Sequence, residues 1–283
     1  GVPGKAYGSN WNSLVFSLAM PFSAWIAARY FVPFYRRVGG ISAYTHLEQR
    51  FGPWARTYAV VCFLLVQLAR IGSIFFGIAL SLQALTGYSM IMIMVVTGIC
   101  IVIYTVLGGI EAVIWTEVLQ AVIKTFGGLI ILLVIVHEMK GGVGQIAAIG
   151  KQFGKFSLGS FAPDFSVSSF WVVFLYGFFM NLKAFGFDQN YVQRYHAASS
   201  AKEAARSVWL CVKIYLPVSL LFFIIGTSLF AFYQQHPAWI ETVKLQAAAE
   251  RLPGNASANA IAKMAARLQP SDYGDKVMPY FIV

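Results

Sequence analysis

Charge is what this 283-residue sequence is short of: Asp, Glu, Lys and Arg make up 11% of it, against roughly 25% in a soluble globular domain. Apolar residues make up 58%, arranged in runs too long for the strands of a membrane barrel. The composition therefore excludes a water-soluble fold and points to a helical membrane bundle. Cysteine is scarce too. Cys62, Cys100 and Cys211 all fall inside apolar runs, which excludes a disulfide framework or a thiolate metal site. The four histidines, His46, His137, His196 and His236, sit in connections or at run ends with no ligand-like spacing. No nucleophile–base pair, phosphate-cradling glycine loop or paired carboxylate lies within a run, so an enzyme is not expected and no catalytic or metal-ligating residue is assigned. The net charge of +10 does not imply nucleic acid, because the basic residues are not gathered into one patch interleaved with aromatics. Lys and Arg flanking membrane spans account for it, so the lipid bilayer is the expected partner and no obligate protein partner is inferred.

Six apolar spans are expected: A, about Asn10–Tyr35, containing Pro21 and Pro33; B, Thr57–Leu85; C, Tyr88–Leu107; D, Ala112–Val136; E, Ser168–Phe187; and F, Ser207–Tyr233. Each is long enough to cross a hydrocarbon core about 30 Å thick. Arg36, Arg37, Arg50 and Arg56 crowd the A–B connection, and Arg194, Lys202 and Arg206 the E–F connection. The positive-inside rule puts these, and the C–D connection, in the cytoplasm. His137–Val167 and the tail Gln234–Lys276 then lie outside, with short helices expected over Trp239–Leu252 and Asn259–Leu268. Residues 1–283 read as one transmembrane domain. No signal peptide precedes Gly1, and an apolar run opens at Val277 near the end, so the chain is expected to be an internal piece of a longer one.

Arg70 stands near the middle of span B, which contains no other charged side chain. At 1.5 Å per residue that span is about 43 Å of helix. An isolated guanidinium at mid-membrane costs from about 2.5 to more than 10 kcal/mol. It persists where it meets helix carbonyls inside the bundle, or where it meets an anionic partner or a substrate. Gln67 lies one turn earlier on a similar face. In span D, Glu117 and Lys124 are seven residues apart and point the same way; either they pair internally, or the carboxylate serves a hard cation, which needs oxygen ligands. Lys213 enters span F and can snorkel to the cytoplasmic edge. Asn181 stands among phenylalanines, where a helix–helix hydrogen bond is its plain explanation. Gly108-Gly109 reads as a bend or a close contact.

Three blocks carry a resemblance. Gly108-Gly109-Ile110-Glu111-Ala112-Val113-Ile114-Trp115-Thr116-Glu117-Val118-Leu119-Gln120 closely resembles the signature of the sodium:solute symporter family, the group of the sodium–glucose cotransporters. Phe187-Asp188-Gln189-Asn190-Tyr191-Val192-Gln193-Arg194 resembles its cytoplasmic Asn-Gln-x-x-Val-Gln-Arg segment, continued by Ala198–Ala204. Tyr35–Phe51, with Arg36-Arg37 and Ser42-Ala43-Tyr44, matches as well. The resemblance implies an all-α, five-plus-five inverted-repeat transporter, with spans A to F as core helices two to seven. The broken first helix would lie upstream, and the eighth would start near Val277. The coupling ion is then sodium, whose main ligands are expected on helices one and eight. Glu117 stands at the family's Asp on the sodium path.

In the sugar-carrying branch, Asn181 and Lys213 match substrate contacts, and Ser17 stands where one carrier has an acidic contact; the aromatic gate is replaced by Ala184, with Phe185 beside it. Gln67-Leu68-Ala69-Arg70-Ile71-Gly72 resembles the sialic-acid branch, in which the arginine meets the substrate carboxylate. The resemblance thus implies a multi-pass, inner-membrane sodium symporter for a small organic solute, an acidic sugar first. A neutral sugar, a monocarboxylate, or a sensor fused to a signalling kinase are the alternatives.

Overall fold

The computed structural model describes residues 1–38, 44–249, 251–252 and 257–282; Ser42-Ala43 and Glu250 lie outside the described residues. Every regular element among the described residues is helical. Five segments are long and apolar enough to cross a membrane: Trp11–Arg37, Pro53–Ala79, Met90–Glu138, Phe170–Phe187 and Ala201–Gln235.

The first short helix, α1 (Val2–Gly8), leads into the Trp11–Arg37 span. That span is built from a 3-10 turn (Trp11–Ser13), α2 (Leu14–Leu18), α3 (Met20–Ile26), a π turn (Ala27–Phe31) and α4 (Val32–Val38). Its irregularity follows from its prolines. Pro21 restarts the helix in the first turn of α3. The π turn lies just before Pro33, whose ring has no N–H to give and crowds the carbonyl of Arg29. After α5 (Thr45–Phe51) comes α6 (Pro53–Thr86), which begins at a proline and ends on Gly87 in the left-handed region at φ 73°.

Spans C and D are joined without a loop. Both lie in α7 (Met90–Glu138), interrupted only at Gly109, with φ 58° and ψ −158°. The expected C–D connection is corrected to a kink, and the Gly-Gly pair supplies its reason. Residue 109 occupies backbone space essentially closed to side chains. A Cβ on Gly108 would lie 2.3 Å from that of Ala112. The connection His137–Val167, expected as a loop, instead carries α8 (Gly142–Gln152).

The remaining helices are α9 (Phe170–Phe187), α10 (Gln189–Ala197), α11 (Ala201–Gln235), α12 (Pro237–Ala249), α13 (Ala258–Ala265) and α14 (Pro270–Ile282). Ser169, Asp188 and Ser200 cap α9, α10 and α11 by accepting hydrogen bonds from the backbone N–H of Val172, Asn190 and Glu203. Two short helices therefore stand in the tail where two were expected. The last helix starts at Pro270, ahead of the expected Val277.

The chain divides into two compact units, Gly1–Arg37 with Thr125–Val283, and Val38–Lys124. The first holds the buried core, in which Tyr7, Ile135, Ile146, Leu229, Phe230, Tyr233, Val243 and Tyr273 pack together. Helix α1 is threaded between α11 and α14, where a Cβ on Gly226 would meet the Pro3 carbonyl at 2.4 Å and one on Gly274 the Gly4 carbonyl at 2.6 Å. The second unit contains α5, α6 and α7 as far as Lys124, with Leu64, Leu65, Val66, Val106 and Leu107 on its exposed surface.

The kink yields a direct expectation. An alanine at 109 forces an L side chain into that conformation, at a cost of about 1–3 kcal/mol. Gly109→Ala should lower the melting temperature of the purified protein, whereas Gly127→Ala, at an open helical position, should be neutral or mildly stabilising. Equal melting curves for the two variants would show that the bend is not held by glycine.

Candidate functional site

In the first unit a polar seam runs where α2 and α3 meet α9 and α11. Ser17, on α2, is 4% exposed and its hydroxyl lies 3.0 Å from that of Ser219 on α11. The Asn181 amide donates to the carbonyls of Gly177 (2.7 Å) and Phe16 (3.3 Å), tying α9 to the turn of α2 beside Ser17. This contact is close because a Cβ on Gly177 would sit 2.8 Å from Phe16 Cα. One turn on, the Ser23 hydroxyl donates to the Phe178 carbonyl at 2.8 Å. Ser17 and Asn181 are thus brought together, each bonded within the helix packing. Lys213 is exposed on α11. Six residues separate it from Ser219, which sets it about 120° round the helix, so it does not share the Ser17–Ser219 contact.

The second unit holds Gln67, Arg70 and Glu117. Gln67 is half-buried and Arg70 exposed, one turn apart on α6. Among the described residues of this unit, no hydrogen bond or ion pair engages the Arg70 guanidinium. Glu117 is exposed on α7, beyond the Gly109 kink. Next to it the Thr116 hydroxyl donates back to the Val113 carbonyl at 2.9 Å. No group of three or more His, Cys, Asp or Glu side chains able to hold a metal ion occurs among the described residues.

Two polar anchors escaped the sequence reading. Lys155, in the connection after α8, is 6% exposed and donates to the carbonyls of Tyr7 (2.5 Å) and Ser9 (2.9 Å). Its ammonium also lies 3.8 Å from the centre of the Phe230 ring, and its own carbonyl accepts from Trp11 N–H at 3.0 Å. The residue closes the C-terminal end of α1, whose last carbonyls have no helical partner. A lone lysine in a connection carries no sequence mark of burial. Arg36 is the second anchor. Its guanidinium donates to the carbonyls of Tyr195, His196, Ala198 and Ser199 at 3.0–3.4 Å, closing the end of α10. Its neighbour Tyr35 donates to the Gly186 carbonyl at 2.8 Å, and Tyr195 to that of Phe185 at 2.7 Å.

A profile of the sodium:solute symporter family matches residues 1–270. The chain belongs to this family. It is 31% identical over 238 residues to the sodium/sialic acid symporter SiaT of Proteus mirabilis, spanning 84% of this chain and 48% of that one. With the sodium/sialic acid symporter NanT of Aliivibrio fischeri the identity is 32% over 241 residues, spanning 83% and 47%. A solved structure, the substrate-bound outward-open state of a Na+-coupled sialic acid symporter, superposes with a TM-score of 0.77 at 29% identity, covering 99% of this chain and 57% of that one. The chain thus spans about half the length of the curated relatives it matches.

The blocks that resemble the symporter family have physical work in this structure. The Gly-Gly pair makes the kink of α7. Tyr35 and Arg36 of one block, with Tyr195 following the other, close the ends of α9 and α10.

Lys155 gives a testable consequence in this symporter-family chain. Burial pulls its ammonium down to about 8, below the usual lysine value near 10.4. Between those values the unfolded chain binds more protons than the folded one, so this group's contribution to stability rises with pH. Thermal unfolding of Lys155→Met should show a lower melting temperature than wild type at every pH, because the Tyr7 and Ser9 carbonyls lose their donor. The gap should widen from about pH 8 to pH 10. A gap that is constant across that window would remove the titration from the account, and no gap at all would remove the anchor.

Proposed function

We propose that this chain is part of a multi-pass, inner-membrane sodium symporter that imports a small carboxylate-bearing solute, sialic acid or a similar acidic sugar, by alternating access. Its two units are parts of one transport domain of the five-plus-five inverted-repeat type. The relatives named as sodium/sialic acid symporters support this reading, as does the likeness to the sialic acid symporter structure. The observation that carries it is Arg70: a single guanidinium midway along the apolar α6, with no internal partner among the described residues of its unit. A planar fork of donors at that depth suits a carboxylate held by two bonds. Gln67 lies beside it on α6; Asn181, Ser17 and Lys213 are the further polar side chains of the chain assigned to the solute in this reading. Sodium, a co-substrate here, passes Glu117. Outside sodium favours the outward-open state and raises affinity for the solute, and this differential binding couples the two fluxes.

The test compares an acidic sugar with its amide analogue in binding and sodium-driven uptake by the full-length protein. Arg70→Gln should abolish uptake of the acid while the protein stays folded. Losing a desolvated charge-assisted pair costs about 2–5 kcal/mol, or roughly 30- to 5000-fold in affinity. Arg70→Lys should restore only part, because an ammonium keeps the charge without the fork. If wild type binds acid and amide equally, the carboxylate reading fails and a neutral sugar takes its place.

Glu117→Gln should weaken apparent sodium affinity more than solute binding at saturating sodium. A sodium titration unchanged from wild type would return Glu117 to a structural role.

A further inference from the structure

An open groove of about 420 Å³ lies in the first unit, lined by Phe22 and Trp25 from α3, Phe178 from α9 and Trp209 from α11. Its lining is almost wholly apolar, and Phe22 and Trp25 are both 57% exposed. Basic side chains stand at one end of it. Arg29 follows Trp25 by one turn and is exposed; Arg206 precedes Trp209 by three residues and Lys202 by seven, both exposed and on the Trp209 side of α11. Because α3 and α11 run in opposite directions, as the Ser17–Ser219 contact and the lining by Trp25 and Trp209 require, Arg29 and Arg206 reach the same level. That is the side of Arg36, Arg37 and the α10–α11 connection, the cytoplasmic side by the positive-inside rule. The acid nearest these cations in sequence is Glu203, whose carboxylate is 3.8 Å from Arg206 in an exposed pair. Such a pair contributes little and can be displaced. Asp188 is already engaged by Asn190.

We infer that this groove is a binding site for an anionic phospholipid of the cytoplasmic leaflet, with an acyl chain along the aromatic wall and the phosphate among Arg29, Arg206 and Lys202. The two indoles sit at the boundary where such rings are favoured, apolar on one side and wet on the other. Charge complementarity selects the occupant. A zwitterionic lipid fills the same apolar wall but leaves the cations without a net anion to neutralise them, whereas basic pockets between helices on this face suit acidic headgroups.

The experiment uses the purified chain in neutral detergent, titrated with phosphatidylglycerol or phosphatidylcholine carrying brominated acyl chains, with tryptophan quenching as the readout. Phosphatidylglycerol should quench at a concentration at least about tenfold lower than phosphatidylcholine, each nearby cation being worth roughly fivefold. Trp25→Phe with Trp209→Phe should remove that component of quenching. Arg29→Gln with Arg206→Gln should bring the two lipids together, while Lys263→Gln with Arg267→Gln, which removes the same charge from the tail, should leave the preference intact. Helical content and elution volume confirm that each variant is folded. Equal midpoints for the two lipids in wild type would overturn the proposal, as would loss of the preference in the tail variant. So would displacement by soluble glycerol phosphate, which would mark a headgroup site without a groove. If neither lipid quenched Trp25 and Trp209, the groove would be covered by protein and the proposal would fall.

Discussion

Hydrocarbon offers no hydrogen bonds, so each backbone N–H and C=O in the membrane-crossing segments must find its partner within the protein. Long helices meet that demand along their length, and the difficulty moves to their ends and breaks. The structure solves it with side chains from elsewhere in the chain. Lys155 closes α1 from well over a hundred residues away. Arg36 closes α10, and the hydroxyls of Tyr35 and Tyr195 close α9. The charged groups among these act on carbonyls, where charge-assisted bonds are the strong ones. Each closing bond also joins two elements, so the same contacts that satisfy the backbone fix how the first unit is assembled.

Packing follows a second constraint of the same medium. Lipid tails are as apolar as leucine, so burying leucine against leucine gives little within the membrane, and close approach at small residues matters more. Helix α1 meets α11 at Gly226 and α14 at Gly274, and α9 meets α2 at Gly177. The denser aromatic packing, Tyr7 edge-on to Phe230, Tyr233 and Tyr273 at 5.7–6.1 Å, gathers where α1, α8, α12 and α14 surround the C-terminal half of α11. Between them, these contacts make the first unit a body that holds α2 and α3 rigidly against α9 and α11, the seam on which Ser17 and Asn181 lie.

The spans were legible in the sequence because length and hydropathy are local properties. What could not be read was whatever depends on a distant partner. Lys155 looks like any loop lysine until the end of α1 is placed against it. The short α8 was hidden because a Gly-rich segment following a membrane span reads as a connection. Spans C and D were separated by Gly108–Glu111, and only backbone angles reveal that a single residue, Gly109, makes the whole bend. The site residues divide along the same line. Their chemistry was visible from type and depth, whereas the engagement of Asn181 with Phe16 and Gly177 is a property of the packed helices.

That division bears on where function can reside. A polar group whose bonds are consumed in assembly is not easily spent again on a solute: turning the Asn181 amide away would break its bonds to the Phe16 and Gly177 carbonyls and with them the tie between α9 and α2. A guanidinium on an apolar helix, with no internal partner among the described residues of its unit, carries the opposite balance, because its desolvation is relieved only when an anion arrives. In the proposed reading Arg70 is the group that discriminates between solutes, whereas the bonds of Ser17 and Asn181 hold α2 against α11 and α9. The asymmetry also explains why the acid-bearing solutes are favoured over neutral ones in this reading: a neutral sugar would hydrogen-bond the fork but leave its charge uncompensated in a medium of low dielectric, whereas a carboxylate supplies both bonds and charge.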